Sequence, residues 1–400
     1  MTGRNQASAV VRQSRLKPLL RRHPWVMSGS IREIRGSVGP GGVVRVLSEA
    51  GEPIGWAHLN PASQIRLRML TFGESDFDET QWLDGMLRGA IARREGMFEP
   101  AVTDTYRLVY SEADGLPGLI VDRYAEHLVV QTLTAGMDRL KPLITQWLME
   151  RLRPEGVIEK NAVAARRQEG LPDCEGLLVG ATPSGTMKIR ENGFRYAVNL
   201  LHGQKTGFYL DQRTNKLRVA EYCAGRDVLD AFSYTGSFAV HALAAGARSA
   251  LRMDNSAPAL EAGRGNLELN GLDSARSDAV RDNVFEALRR FAGEGRKFDL
   301  IVLDPPKLAP LQSHVDHAMR AYKDLNLHAM KCLGPDGILA TFSCSGAIDM
   351  QSFQEALRWA AKDAGRDAQI LQTLGHGPDH PIRLSFPESA YLKGVICRML

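Results

Sequence analysis

The order of hydrophobic and polar positions divides the chain into three textures. Up to about residue 75, short apolar runs (Gly42–Leu47, Ile54–Leu59, Ile65–Leu70) alternate with Gly/Pro turns such as Gly36–Gly42. Short strands bounded by turn residues predict a small β-rich unit. A short helix is expected at Arg15–Arg22, just before His23-Pro24-Trp25-Val26. Across 78–98 the apolar residues Trp82, Leu83, Met86, Leu87 and Ile91 recur at helical spacing. Tyr106–Tyr110 then reads as a strand, Ser111–Gly118 as a turn and Leu119–Leu133 as a β-hairpin. A helix over 138–153 and strands at Gly156–Glu159 and Leu177–Val179 complete a middle α+β unit ending near 190.

A hairpin is expected to open the last part, with Gly193–Leu200 followed by Gly207–Leu210. Beyond it, strands and helical segments alternate. The strands are placed at Val228–Phe232, Ala250–Asp254, Arg276–Val280, Asp299–Asp304, Gly337–Ser343, Ala368–Leu374 and Tyr391–Met399. Such alternation predicts a doubly wound, mainly parallel sheet of α/β class. Only a polar loop, Gly375–Glu388, separates the last two strands, so the final one is expected to run antiparallel. The expected domains are 1–75, 76–190 and 191–400. No internal repeat or low-complexity tract is present.

Composition narrows the class without naming a chemistry. A hydrophobic fraction of 44% and a charged fraction of 24% over 400 residues exclude a disordered, collagen-like or disulfide-scaffold protein. Five cysteines without a C-x-x-C argue against a zinc ribbon and a secreted framework. No apolar signal core opens the chain, and no apolar run approaches the ~20 residues of a membrane span. The expectation is a cytoplasmic protein without a membrane partner. A homodimer is compatible with the sequence.

Net charge is only +4, but it is unevenly spread. Residues 1–70 hold eleven basic side chains (Arg4, Arg12, Arg15, Lys17, Arg21, Arg22, Arg32, Arg35, Arg45, Arg66, Arg68) against three acids, Glu33, Glu49 and Glu52. The remainder of the chain is therefore net acidic. A basic segment on a balanced body suggests a polyanion contact, most often nucleic acid; a solvated basic tail is the plainer alternative.

Four strand ends carry chemistry-bearing residues. The first strand of the alternating region ends in Asp230 and runs through Phe232-Ser233-Tyr234-Thr235-Gly236 into an Ala-rich helix. Ligands of doubly wound folds bind at such carboxyl ends. Gly236 is expected to let a ligand approach the backbone, and the helix start offers free N–H groups. The second strand ends in Asp254, an acid placed to suit two ribose hydroxyls. Together these point to a nucleoside-type cofactor, although a helix cap and a strand-end acid would look similar. The fourth strand ends in Asp304-Pro305-Pro306-Lys307, where prolines stiffen a turn that can present Asp304 to a planar base. The fifth ends in Ser343-Cys344-Ser345-Gly346, a setting unlike that of a buried structural cysteine. Cys174, Cys223, Cys332 and Cys397 lack it and are taken as core or surface residues.

From Asp227 to Leu400 the chain resembles a class I S-adenosylmethionine-dependent methyltransferase. More narrowly, it is similar to the PUA-domain-containing cytosine-5 methyltransferases of large-subunit (23S) ribosomal RNA. HPWVMSGSI, EADGLPGLIVDRY, KTGFYLDQRTN, FSYTGSFAVHA, DPPK, SCSG and HPIRLSFPESAYLKG carry the likeness, in that family's order, over nearly the whole chain. It implies a PUA-like β-barrel that binds RNA, a central α+β domain, a hairpin, and a Rossmann-like domain with a seven-stranded mixed sheet. It also implies S-adenosyl-L-methionine as cofactor, with Asp230 to Gly236 as the cofactor loop. Asp254 would bind the ribose with Asn255 beside it, and Asp282 or Asn283 would meet the adenine. Tyr209, Asp211, Gln212 and Arg213 would close over the cofactor side of the cleft. Asp304 would face the methionine end and the target base, and Cys344 would be the nucleophile. The broader RNA cytosine-5 class usually adds a Pro-Cys where this chain has Pro305-Pro306.

Two other readings remain. A D-P-P turn also suits methylation of an exocyclic amine on guanine or adenine, which needs no cysteine. A non-catalytic RNA-binding assembly factor would need none of Asp230, Gly236, Asp254, Asp304 and Cys344. No metal site is expected: His314 with His317, and His376 with His380, lack partner ligands at suitable spacing. Trp25, Trp56, Trp82 and Tyr106 could stack on bases, but core packing is the commoner fate of such residues.

Overall fold

The structure is a computed structural model that describes residues 7–73, 75–183, 185–201, 203, 205–309 and 314–400. Arg4, one of the basic residues counted above, lies outside them. The chain forms two compact units. One comprises 1–189, 198–208 and 379–389, and the other 190–197, 209–378 and 390–400.

The first unit holds two sheets. Strands β1 (Ser8–Val11), β2 (Trp25–Met27), β3 (Ile31–Arg35), β4 (Gly42–Ser48), β5 (Pro53–Leu59) and β6 (Ile65–Phe72) form one in the order β2-β6-β5-β4-β1-β3. Val44, Val46 and Ser48 of β4 point inward in the period-two pattern of a half-buried strand. Ala9, Val11, Ala57, Leu67 and Met69 complete that core. The expected short helix is α1 (Lys17–Leu20). The second sheet has the order β11-β10-β9-β8-β7, from β7 (Thr105–Tyr110), β8 (Leu119–Tyr124), β9 (His127–Thr132), β10 (Gly156–Lys160) and β11 (Glu175–Gly180). Helices α2 (Glu79–Ala92) and α3 (Ala135–Leu152) bury Leu83, Leu87, Leu140 and Ile144 in its core, and α4 (Ala164–Gln168) follows β10.

Segment 379–389 belongs to this unit although the rest of its neighbourhood in sequence does not. Asp379 accepts the Arg107 N–H (2.9 Å), and the Tyr110 hydroxyl donates to the Ser389 carbonyl (2.7 Å). Phe386 meets Trp25 edge-on at 4.8 Å. The loop that reads as merely polar is thus bonded along its length.

The hairpin sits earlier than the sequence pattern predicts. It is β12 (Met187–Glu191) and β13 (Phe194–Val198), turning at Asn192 and Gly193, both with positive φ. Leu210 instead begins a 3-10 turn, Leu210–Gln212.

The second unit is a seven-stranded sheet with helices between its strands. In chain order these are α5 (Arg213–Ala220), β14 (Asp227–Ala231), α6 (Ser237–Ala244), β15 (Ser249–Asp254), α7 (Ala257–Leu269), β16 (Ala279–Arg281), α8 (Val284–Gly293), β17 (Phe298–Leu303), α9 (Val315–Lys331), β18 (Leu333–Ser343), α10 (Met350–Ala364), β19 (Ala368–Leu374) and β20 (Lys393–Met399). The sheet order is β16-β15-β14-β17-β18-β20-β19, and β20 runs antiparallel to both neighbours. This is the class I methyltransferase fold. The third strand is shorter than expected, because Ser274–Arg276 is a 3-10 turn capped by Asp273. Strand order reverses between β14 and β17, the switch point at which ligands of such sheets bind. Ala231 of β14 pairs with Leu303 of β17, and Leu303 with Thr341 of β18. The turns after β14, β17 and β18 therefore leave the same edge of the sheet.

Candidate active site

The loop after β14 is held in an unusual backbone. Phe232, Tyr234 and Gly236 all have positive φ, of 61°, 46° and 72°. Two of the three are aromatic residues, for which this region is costly, and such strain gathers at ligand clamps. Hydrogen bonds fix the loop: Ser233 N–H to the Met253 carbonyl (3.0 Å) and Gly236 N–H to the Ser233 carbonyl (2.8 Å). Gly236 sits where two elements approach closely. A Cβ there would point at Arg252 Cδ (3.0 Å) and Gly263 (3.5 Å), not into open space. The glycine serves the left-handed start of α6 and the close approach of α7.

Asp230 is buried. Its Oδ2 accepts the Ala239 N–H at 3.1 Å, and Oδ1 has no hydrogen-bond partner among the described residues. Burial, with the charges of Asp304 and Asp254 adding to it, raises its pKa to about 7 against the opposing Ala239 N–H and Arg252. Ser233 Oγ and Thr235 Oγ1 are likewise buried without partners among the described residues. Three orphaned oxygens in one loop leave polar capacity that a cationic, hydrogen-bonding ligand would satisfy.

Asp254 ties the loop to its own strand end. Oδ2 accepts the Tyr234 N–H and Oδ1 the Ser256 N–H, each at 2.9 Å. Its half-exposed carboxylate keeps lone pairs for further donors. Asn255 is exposed, and its carbonyl accepts from Arg281 Nε. The two candidates after β16 make different bonds. Asn283 caps α8, its Oδ1 accepting the N–H groups of Phe285 (3.0 Å) and Glu286 (3.4 Å). Asp282 pairs with Arg290 at 2.8 Å, and its N–H donates to the Asp254 carbonyl.

Tyr209 meets Tyr234 of the loop edge-on at 5.3 Å. Burial first, then the charge of Asp304, pushes its hydroxyl pKa up. Its neighbours go elsewhere. Asp211, Gln212 and Arg213 are buried. Tyr391 donates to Asp211 (2.6 Å), Lys216 to Glu191 (2.5 Å), and Arg213 Nε lies 3.6 Å from Glu191. These bonds anchor the turn that carries Tyr209.

The turns after β17 and β18 meet. Cys344 Sγ lies 3.8 Å from the Pro305 carbonyl, and Ser345 Oγ accepts the Ala309 N–H at 3.1 Å. The half-buried Asp304 begins the first turn. The charges of Asp304 and Cys344 both act to raise the pKa values of Tyr209 and Tyr322. Tyr322 of α9 bonds to Ser345 Oγ at 3.2 Å, and burial raises its pKa to about 12. Cys223, Cys332 and Cys397 are buried; Cys174 is half-buried, and burial plus Glu159 raise its pKa.

Sequence reasoning missed Tyr322, Tyr391 and Lys393. Only Lys393 left a usable signal, a lone charge opening the apolar strand Gly394–Cys397. His314 and His317 are exposed, and no group of three or more metal-ligating side chains converges among the described residues.

A PUA-like domain matches residues 10–72, and an S-adenosylmethionine-dependent methyltransferase domain matches 159–376. The fold and site thus define a class I methyltransferase with an N-terminal PUA-like domain, and S-adenosylmethionine is its cofactor. The ribosomal RNA large subunit methyltransferase I of Aeromonas hydrophila is 43% identical, covering 98% of this chain and 99% of the relative. That of Escherichia coli is 40% identical over the same shares. The chain belongs to this family. Among solved structures, an S-adenosylmethionine-dependent methyltransferase from Streptococcus mutans superposes with a TM-score of 0.84 at 20% identity, over 98% of this chain and 99% of that one. At that identity it speaks for the fold alone. The orphaned oxygens of Asp230, Ser233 and Thr235 fit the cofactor's cationic methionine end.

Proposed function

We propose that this protein is an RNA (cytosine-5-)-methyltransferase acting on large-subunit (23S) ribosomal RNA, with Cys344 as nucleophile. The observation that carries the reading is the meeting of the Cys344 and Asp304 turns beside the cofactor loop, with Sγ 3.8 Å from the Pro305 carbonyl. An amine methyltransferase has no use for a thiol there. The names of the relatives support the ribosomal substrate.

Carbon 5 of cytosine is a poor nucleophile. Addition of the Cys344 thiolate to carbon 6 makes carbon 5 enamine-like and able to take a methyl group. Bound S-adenosylmethionine supplies that methyl as an electrophile. As cytosine N3 takes up a proton, the Asp304 carboxylate accepts the N3–H hydrogen bond and favours the addition. A general base then takes the carbon 5 proton, which expels Sγ as thiolate and restores the ring. Asp230, Ser233 and Thr235 bind the methionine end, Asp254 the ribose and Asp282 the adenine edge, with Asn283 holding the helix beneath. The target base must be unstacked to reach the thiol. The basic residues of the PUA-like domain hold flanking RNA through its phosphates. Cytoplasmic ribosome assembly is where such a substrate is found. No described helix is long and apolar enough to cross a membrane.

The test uses labelled S-adenosylmethionine and unmodified large-subunit RNA, digested to nucleosides. Label in 5-methylcytidine that disappears with Cys344→Ala is expected. Label in a methylated purine, unaffected by that change, would favour the exocyclic-amine reading. Failure to bind S-adenosylmethionine would favour an assembly factor.

A further inference from the structure

The end of β18 and the start of β20 are neighbours: Ser343 pairs with Lys393 in antiparallel register. The Lys393 side chain reaches the Cys344 turn, where Nζ donates to the Ser345 carbonyl at 2.9 Å. Lys393 is only 6% exposed. A buried ammonium is costly unless an anion offsets it. Among the described residues no carboxylate stands within ion-pair distance of Nζ, and the bond to Ser345 is to a neutral carbonyl.

We propose that Lys393 is a positioning residue for the methyl-transfer reaction, its ammonium pinned on the Ser345 carbonyl so as to hold the adjacent Cys344 as a thiolate. The inference rests on the reading of Cys344 as the nucleophile.

The surrounding charges agree. Burial lowers the Lys393 pKa to about 8; Cys344 opposes that most, then Asp349, while Lys307 adds to the lowering. Asp349 and Lys307 are exposed, so solvent screens both. Tyr209 and Tyr322, which also feel Cys344, stay neutral because burial raises their pKa values. Asp304 acts against the thiolate. Lys393 is the buried cation among these groups.

The experiment reads the alkylation rate of Cys344 by iodoacetamide against pH in the full chain, resolved by peptide mass spectrometry. In the wild type the inflection should fall below the ~8.5 of a free cysteine. In Lys393→Met it should rise by about one unit, cutting the rate at neutral pH roughly tenfold, with Lys393→Arg restoring most of it. Cys174 in the same digests, and retained cofactor binding, report an intact fold. An unchanged inflection in a folded Lys393→Met protein overturns the proposal. So does a wild-type inflection at or above ~8.5, which needs no variant. Methylation that survives Cys344→Ala would overturn the nucleophile reading instead, whatever the inflection does. An inactive Cys344→Ala with an unmoved inflection would remove Lys393 alone.

Discussion

The Tyr391 hydroxyl donates to Asp211 Oδ2 at 2.6 Å across 180 residues of chain. The same junction is closed by Gly377 N–H to the Asp211 carbonyl and by Asn215 Nδ2 to the Gly375 carbonyl. His376 lies against the Tyr391 ring at 4.5 Å and accepts the Leu392 N–H. The Tyr209–Gln212 turn is thereby fastened to the strand-connecting segment after β19, two residues from the tyrosine that meets Tyr234.

Tyr391→Phe removes one donor from a buried carboxylate without changing shape. The loss should cost about 1–3 kcal/mol. For a unit of this size that lowers Tm by roughly 2–4 °C per kcal/mol. Because the turn carries Tyr209, the Kd for S-adenosylmethionine should rise several-fold as well. A thermal melt with and without cofactor checks both. An unchanged Tm in the free protein would mean the bond carries no net stability.

Asp230 gives the site a pH dependence with a defined sign. Its pKa in the folded protein is raised from 3.8 to about 7, so the folded state keeps a proton that the unfolded chain has lost. Its contribution to stability is complete below about 4 and is lost as pH rises to about 7. Cofactor affinity should move the other way, since the ionised carboxylate suits a cationic ligand. Asp230→Asn should flatten both dependences between those values and weaken binding at pH 8. Calorimetric titration at several pH values, beside melts of the free protein, tests this. An equally steep affinity profile in the variant would assign the titration to another group.

Asn283 and Asp282 should fail differently. Asn283→Ala deprives α8 of its cap and should cost about 1 kcal/mol in stability with little change in cofactor affinity. Asp282→Ala should weaken cofactor binding several-fold at nearly unchanged Tm, since its partner Arg290 is exposed. If the two variants change the same quantity, the division of labour at β16 is wrong.

What the sequence made legible follows from how local each signal is. Strand–helix alternation and the turns at Asp304 and Cys344 need only a few adjacent residues, and both are found at one sheet edge. The misplaced hairpin was legible too, since Asn192-Gly193 is the dipeptide that two-residue hairpin turns prefer. The third strand starts later than apolar spacing suggests because the Arg276 turn is capped from Asp273, which such spacing does not register. The reason for Gly236 lies on α7, some 27 residues later, out of reach of a local reading. The partners of the buried Asp211 and Arg213, Tyr391 and Glu191, lie far from them in sequence, and no local pattern reports that.

The basic N-terminal segment provides the last test. The structure removes several of its cations from contention. Arg68 pairs with Glu112 (2.6 Å) and Glu169 (3.0 Å), Arg32 with Glu49 (3.2 Å) and Arg35 with Glu33 (2.5 Å). Arg15, Lys17, Arg21 and Arg22 stay exposed around α1, without ion-pair partners among the described residues. Deleting residues 1–75 is a poor experiment, because it would strip Glu112 and Glu169 of Arg68 and leave buried charge unpaired. Replacing the four exposed cations by Ala should leave the fold and cofactor binding intact while lowering affinity for RNA. For every phosphate no longer neutralised, the slope of log K against log salt should also flatten by about 0.7 on single strands. Binding measured from low to physiological salt reads that slope directly. An unchanged slope would place the RNA on another face of the protein.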